Sequence, residues 1–355
     1  MSFSIWGLGT ALPELHATQE RAAGLINRAS GYDAEQSLWV ESLYRKTGVR
    51  HRHLAMLEHI DEILDAPGHH PGFPTRWRME RYEELAAPLA DLAAGRALAA
   101  AGVEASEITH LVTVSCTGFA APGFDLALFD SLGLGPGTQR THVGFMGCHG
   151  ALNGLRVARA FAASDRSARV LVCAVELPSL HFRYEPDPRL TVVNALFADG
   201  AAAVVGRAEP LDEADAWRLV AGGSALVPGT ADSMTWRIGD KGFEMTLSQK
   251  VPATIGEHLR PWLVAWLAGH GLAIADVASW AIHPGGPRVL DATEHALGLK
   301  AEATLESRAV LADLGNMSSP TILFILDRLR RRGAPRPCVA LGFGPGLVIE
   351  AALFV

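Results

Sequence analysis

Residues 139–147 read QRTHVGFMG, a strand that turns apolar toward its end, and residues 150–163 read GALNGLRVARAFAA. In the second stretch Leu152, Leu155, Val157, Ala158 and Phe161 recur at helical spacing. Cys148 therefore stands at a strand-to-helix turn of an α/β unit. Backbone N–H groups there lack intrahelical partners, and the helix dipole is positive. Such a place favours thiolate over thiol, and with a histidine nearby it brings a cysteine from about 8.5 into the range of roughly 3.5–7.5. Gly147 and Gly150 flank the cysteine and leave room for a substrate carbonyl. Read alone, Cys148 is equally a small buried apolar residue. Two later stretches decide between these readings.

The same rhythm extends outward. Residues 110–116 (HLVTVSC) form an apolar strand of the kind buried on both faces of a parallel sheet. A helix over 124–132 and a strand over 169–175 (RVLVCAV) follow, and residues 194–206 carry a turn at Asp199 and Gly200 before another strand. Strands alternating with helices imply βαβ units with right-handed crossovers. Upstream, the pattern predicts a strand over 4–8, helices over 19–29 and 37–46, and a long helix over 76–101 kinked at Pro88. Residues 62–73, with His69 and His70, read as a surface loop. The polar stretch 209–216 is the candidate seam between halves at 1–210 and 211–355. Beyond it come a strand from Trp217 to Ala221, a segment 242–259 leading into a helix, and an amphipathic stretch 262–268. A strand over 279–283, helices over 287–297 and 320–331, and strands over 338–344 and 347–355 complete the chain. Each half ends in strands around a glycine-rich turn, which points to internal duplication.

At 355 residues the chain has the length of about two domains. Its net charge of −7 argues against nucleic-acid or anionic-membrane binding. No run of apolar residues is long enough for a membrane span. Cys116, Cys148, Cys173 and Cys338 lie far apart without a CxxC pair, which supports neither a disulfide framework nor a zinc site. The N-terminus reads as a first strand and not as a signal peptide, so a reduced, cytoplasmic setting is expected.

Two stretches share with Cys148 the pattern of a reactive polar residue at a strand end or in a glycine-bounded turn. They are WAIHPGG with His283 and LGNMSS with Asn316. Strand C-termini of parallel α/β sheets face the crevice, so residues far apart in sequence converge there. A thiolate at Cys148 accepts an acyl group, and His283 serves as its base or imidazolium partner. Asn316 donates from an uncharged amide to a developing oxyanion or enolate. Read singly, His283 is also a satisfied strand-end histidine, and Asn316 an Asx-turn residue. The basic cluster Arg45, Lys46, Arg50, His51, Arg52 and His53 reads either as a solvated helix end or as a local anion site.

Taken in order, CHGALNGLR, LFADGAAAVV, WAIHPGGPRVLD, LGNMSSPTILFILD and GFGPGLVIE resemble the type III polyketide synthases, the chalcone/stilbene synthase superfamily. The likeness covers nearly the whole chain and is best from Leu111 onward. It implies a thiolase-like fold, a duplicated five-layer αβαβα body that works as a homodimer. It places Cys148, His283 and Asn316 on the catalytic triad, and Phe197 on the gatekeeper between the coenzyme A tunnel and the initiation/elongation cavity. Gly342, Phe343, Gly344, Pro345 and Gly346 fall on the loop that scaffolds that cavity, and Lys46 on the coenzyme A phosphate-binding region. The implied reaction loads an acyl-CoA starter on the cysteine, extends it with malonyl-CoA and cyclises the product. Coenzyme A thioesters are substrates, and no metal or redox cofactor is called for. Cys116 stands where plant enzymes often carry threonine, His181 where they carry a small hydroxyl residue, and Met245 where they carry phenylalanine. Ala121 replaces a partner-crossing methionine. Thr117, Pro178 and Ser318 complete the aligned wall. These departures imply a remodelled cavity and a starter other than coumaroyl-CoA, aliphatic acyl or malonyl. The alternatives are an initiating β-ketoacyl-carrier-protein synthase with a similar Cys/His/Asn set, a Cys/His/Asn hydrolase, and a catalytically silent paralogue.

Overall fold

The computed structural model describes residues 2–65, 72–210 and 216–355. The chain begins with β1 (Phe3–Ala11), an almost wholly buried strand. A short antiparallel pair, β2 (His16–Thr18) and β3 (His51–His53), brackets α1 (Gln19–Ser30) and α2 (Ala34–Lys46). Thr18 caps α1 by accepting from the Arg21 N–H, and Asp33 with Gln36 forms a capping box at the start of α2. After α3 (Ile60–Leu64) comes α4 (Thr75–Ala101), one continuous helix that includes Pro88. Its buried stripe of Ala86, Ala90, Ala93, Ala94 and Ala97 lets it lie close against β1.

The first half continues through β4 (His110–Ser115), α5 (Phe124–Leu132), β5 (Gln139–Gly144), α6 (Gly150–Ser164), β6 (Val170–Glu176), α7 (Pro188–Leu196) and β7 (Gly200–Arg207). The second contains β8 (Trp217–Leu226), β9 (Met234–Gly239), β10 (Gly242–Leu247), α8 (Val251–Ala268) and β11 (Ser279–Ile282). It closes with α9 (Pro287–Leu297), α10 (Leu305–Leu314), α11 (Thr321–Arg331), β12 (Cys338–Gly344) and β13 (Val348–Phe354).

Nine strands form one sheet in the order β11-β12-β13-β8-β1-β7-β6-β4-β5. Read outward from the β1/β8 pair, the halves run alike. In the first, β7 is antiparallel to β1 and β6, and β6 is parallel to β4. In the second, β13 is antiparallel to β8 and β12, and β12 is parallel to β11. The duplication expected from the glycine-rich turns is therefore visible as a repeated strand order. Helices α6 and α11 touch each other and strands of both halves, so the sheet folds around them at the β1/β8 junction. With α4 outside the first half and the buried faces of α8 and α9 outside the second, the layers are αβαβα, a thiolase-like fold.

Some elements differ from the sequence reading. Strand β5 stops at Gly144, because Phe145 and Gly147 adopt left-handed angles (φ 56° and 70°) that reverse the chain before Cys148. Residues 234–247 form the antiparallel hairpin β9/β10, and α8 then runs without interruption through Pro261 and the stretch 262–268. Met234, Trp236 and Ile238, then Phe243, Met245 and Leu247, alternate with polar neighbours, the period of two that marks strands. Residues 60–64 are helical, and the rest of the predicted 62–73 loop, His69 and His70 included, falls mostly outside the described residues. So does most of the 209–216 seam. Among the described residues no helix is long and apolar enough to cross a membrane, and no cluster of metal-binding side chains occurs.

Candidate active site

Cys148 occupies the single 3-10 turn Gly147–His149 that leads into α6 and is 6% exposed. Pro345 of the second half comes so close to Gly147 that a Cβ there would collide with its ring. Gly344 is similarly closed off by the His149 imidazole. The GFGPG loop thus fits against the cysteine turn, as a loop that scaffolds the cavity rather than one whose five residues all line it. Pro345 lines the cavity. Gly342 and Gly344 back onto His149, and Phe343 belongs to the hydrophobic core of the second half. Gly346 is held by its backbone, donating to Met234 O at 2.9 Å.

The 316–318 loop meets the sulfur. Ser318 Oγ lies 3.7 Å from Cys148 Sγ and 3.5 Å from Cys116 Sγ. Asn316 brings its side chain near enough to the Cys148 thiol to lower that thiol's pKa. Its Oδ1 accepts from the Ser318 N–H at 2.8 Å, and its backbone forms a bridge with Phe197. Below them lies Glu176, fully buried, the last residue of β6 and one position beyond the strand read from sequence. It accepts from the Cys116 N–H at 3.0 Å, Thr117 Oγ1 at 2.6 Å and Ser319 Oγ at 2.6 Å, joining the two halves under the nucleophile. Burial raises its carboxyl above the usual range.

His283 stands at the end of β11 and donates its N–H to Leu341 O at 2.8 Å. The ring is 1% exposed, and neither ring nitrogen has a hydrogen-bond partner among the described residues. Burial, with a smaller contribution from nearby His149, pushes this imidazole down to about 3. Burial likewise pushes the Cys148 thiol up to about 11, against the Ser318 and Asn316 hydrogen bonds. Desolvation therefore opposes the thiolate that the helix N-terminus favours. The structure brings Asn316 near the sulfur, and it brings His283 within electrostatic reach of His149, the residue after Cys148.

A pocket with about 660 Å³ of empty space, open solvent included, has Cys148 in its wall. Cys116, Thr117, Pro178, His181, Phe197, Met245, Ser318 and Pro345 all line it. Trp236 and Phe243 of the unforeseen hairpin line it too. Trp236 Nε1 donates to Cys116 O at 2.6 Å. His181 accepts from the Phe243 N–H through Nδ1 (3.0 Å), so its proton sits on Nε2 and is donated to Thr117 O (2.6 Å). Its ring stacks on Phe243 at 4.2 Å, and burial holds it down to about 3. At the rim Arg183 pairs with Glu244 and Glu185. Burial and neighbouring Glu176 hold the Cys116 thiol well above its ordinary value.

Lys46 is exposed at the end of α2, away from the cavity wall. The basic cluster around it is smaller than its sequence suggested. Arg50 pairs with Asp313 at 2.5 Å, and Arg52 is buried and makes hydrogen bonds to main-chain carbonyls.

Comparison with known proteins agrees with this geometry. The family model for the N-terminal domain of chalcone and stilbene synthases matches residues 2–210, and that for the C-terminal domain matches 218–355. Alpha-pyrone synthesis polyketide synthase-like Pks18 of Mycobacterium tuberculosis is 33% identical over 357 residues, covering 99% of this chain and 90% of the relative. Bisdemethoxycurcumin synthase of Oryza sativa subsp. japonica is 33% identical over 374 residues, covering 99% and 91%. The crystal structure of PKS-I from the brown alga Ectocarpus siliculosus superposes with a TM-score of 0.93 at 31% identity, covering 100% of this chain and 98% of that one. The C-terminal type III polyketide synthase domain of Steely1 from Dictyostelium superposes at 0.91 with 26% identity, covering 100% and 99%. The carrier-protein-dependent and hydrolytic alternatives find no support in these matches. The chain belongs to the chalcone and stilbene synthase family and is an acyltransferase of the type III polyketide synthase class.

Proposed function

We propose that the chain loads an acyl-CoA starter onto Cys148 and lengthens it by repeated decarboxylative condensation with malonyl-CoA. The observation that carries this reading is one largely apolar chamber with Cys148 in its wall and the 316–318 loop against the sulfur, Ser318 Oγ 3.7 Å from it. Malonyl-CoA loses CO2, and the electron pair left behind delocalises onto the thioester oxygen as an enolate. Asn316 and His283 stabilise that oxygen. The enolate carbon attacks the acyl-Cys148 carbonyl, a C–C bond forms and the sulfur leaves. The cysteine then takes the lengthened chain back from coenzyme A. Each round consumes one proton, because the malonyl carboxylate departs as neutral CO2 and coenzyme A leaves as the thiol. Ring closure releases the product.

In this reading Phe197 separates the coenzyme A tunnel from the chamber. Cys116, Thr117, Pro178, His181, Met245, Ser318 and Pro345 shape the chamber for an aliphatic acyl or malonyl starter. Cys116, kept as a thiol by burial, acts as wall. Lys46, exposed beside Arg45, binds the phosphates of coenzyme A. The chemistry uses coenzyme A thioesters and the protein's own side chains, without a metal or redox cofactor. The enzyme works as a homodimer, a reading supported by the exposed Phe119, Phe145 and Met146 beside the edge strand β5. Its four free thiols suit a reducing cytoplasm.

The test is mass spectrometry of products from malonyl-CoA and acyl-CoA starters of graded length, without carrier protein. Multiply extended products are expected. Cys148→Ala is expected to abolish condensation, and Cys148→Gln to retain malonyl-CoA decarboxylation. Equal condensation by Cys148→Ala and the parent would remove the nucleophile assignment, and free acid alone in every arm would favour hydrolysis.

A further inference from the structure

Arg52 is among the largest fully buried side chains, at 1% exposure. A cation so deeply buried is tolerated only where its hydrogen bonds and charge partner compensate its lost hydration. Its Nη1 donates to the carbonyls of Asn194 (2.5 Å) and Phe197 (2.7 Å), and its guanidinium lies 5.6 Å from the centre of the Tyr44 ring. Asp199, fully buried two residues after Phe197, adds an opposite charge from beyond ion-pair distance. The Asp199 carboxylate accepts from the Ala55 N–H (2.6 Å) and from the N–H and hydroxyl of Ser179 (2.8 and 2.5 Å). Its own N–H donates to His53 O at 2.9 Å. Residues 52–55 therefore clamp 197–199 along one side. On the other side the chain brackets Asn316: the Asn316 N–H donates to Leu196 O (3.0 Å), and the Ala198 N–H donates to Asn316 O (2.9 Å).

We propose that Arg52 is a positioning residue for condensation, its buried guanidinium fixing the Phe197 backbone and, through the 196–198 strip, the Asn316 amide. This rests on the roles given above to Phe197 and Asn316. Arg52 touches neither substrate nor sulfur. It acts because an enolate is stabilised only by a donor held in place, and a misplacement of about 1 Å costs on the order of 100-fold in rate. The segment that carries Arg52 continues from the end of α2, where Lys46 lies.

The test uses the full-length enzyme with Arg52→Gln, and with Arg52→Gln/Asp199→Asn, which removes both buried charges together and so avoids an unpaired carboxylate. Three quantities are measured per folded molecule: acylation of Cys148 by starter thioester, CO2 release from malonyl-CoA, and condensed product. Acylation within about twofold of the parent is expected, with condensation kcat reduced on the order of 10- to 100-fold and the KM for malonyl-CoA little changed. Arg52→Lys should restore part of that loss. A folded double variant that condenses at the parent rate, with only its Tm lowered, would overturn the proposal and leave Arg52 a structural residue. Asn316→Ala serves as the control. If it condenses like the parent, the role of Asn316 is wrong; if it fails where the Arg52 variants succeed, the positioning role alone is wrong.

Discussion

At Gly344 the backbone of β12 passes so close to the His149 ring that a Cβ would collide with its Cδ2 and Nε2. His149 follows the nucleophile directly, so any displacement of that ring is passed to Cys148. Gly344→Ala is therefore expected to lower condensation at least about tenfold, since small misplacements of reacting groups are costly. The collision is with one side chain, so His149→Ala should relieve it. The double variant is expected to recover Tm and rate relative to the sum of the single changes, a coupling that a double-mutant cycle reads directly. Additive effects would mean that the two residues do not meet in solution. Which residues could be read in advance follows from their chemistry. Cys148 and Asn316 were legible because turns bounded by glycine and strand ends are written in the sequence. Arg52 and Glu176 were not: charged residues ordinarily read as surface, and burial with partners more than 50 positions away leaves no local mark.

The β9/β10 hairpin is held to the cavity through His181, whose Nδ1 accepts from Phe243 on β10 while Nε2–H donates to Thr117 beyond β4. Protonating that ring removes the acceptor. His181 and His283 are both held down to about 3, against about 6.5 when unfolded, so acidification loads protons on the unfolded chain first and stability falls as pH drops below 6.5. Asp199, ahead of β7, works in the opposite sense. Burial raises it to about 6, so between that pH and its unfolded value near 4 the native state holds the extra proton and gains relative stability on acidification. Its contribution is on the order of 2–3 kcal/mol, enough to offset part of the histidine loss. Asp199→Asn should therefore make the fall in Tm from pH 6.5 to 4.5 steeper than in the parent. Equal slopes would show that Asp199 ionises at its ordinary pH. The hairpin escaped the sequence reading because its period-two pattern merges into an apolar helix, whereas the core strands and the helix after Cys148 stand apart between polar turns.

For the whole molecule, the repeated strand order explains how residues more than 160 positions apart meet: each half delivers a loop ahead of its central helix, Cys148 before α6 and Ser318 before α11. The carboxylate of Glu176 ties the second of these loops to the first half, accepting from Ser319 and from Cys116 after β4. The duplication is incomplete at one edge. Among the described residues β5 pairs only with β4, and its other side is open. Beside it Phe119 is 50% exposed, Phe145 39% and Met146 36%, with the two phenylalanine rings 5.9 Å apart. An open strand edge next to an apolar patch attracts further chain, and a twofold pairing satisfies both surfaces in one closed contact. Phe145 also ends the strand that delivers Cys148, so the state of this surface bears on the nucleophile. Phe119→Asp/Phe145→Asp is expected to convert a dimer into a monomer in sedimentation velocity, with condensation lost alongside. The parent sedimenting as a monomer would refute the dimer outright. A double variant that stays dimeric would move the contact to another face, and a monomer that condenses at the parent rate would show that the cysteine turn needs no support from a second copy.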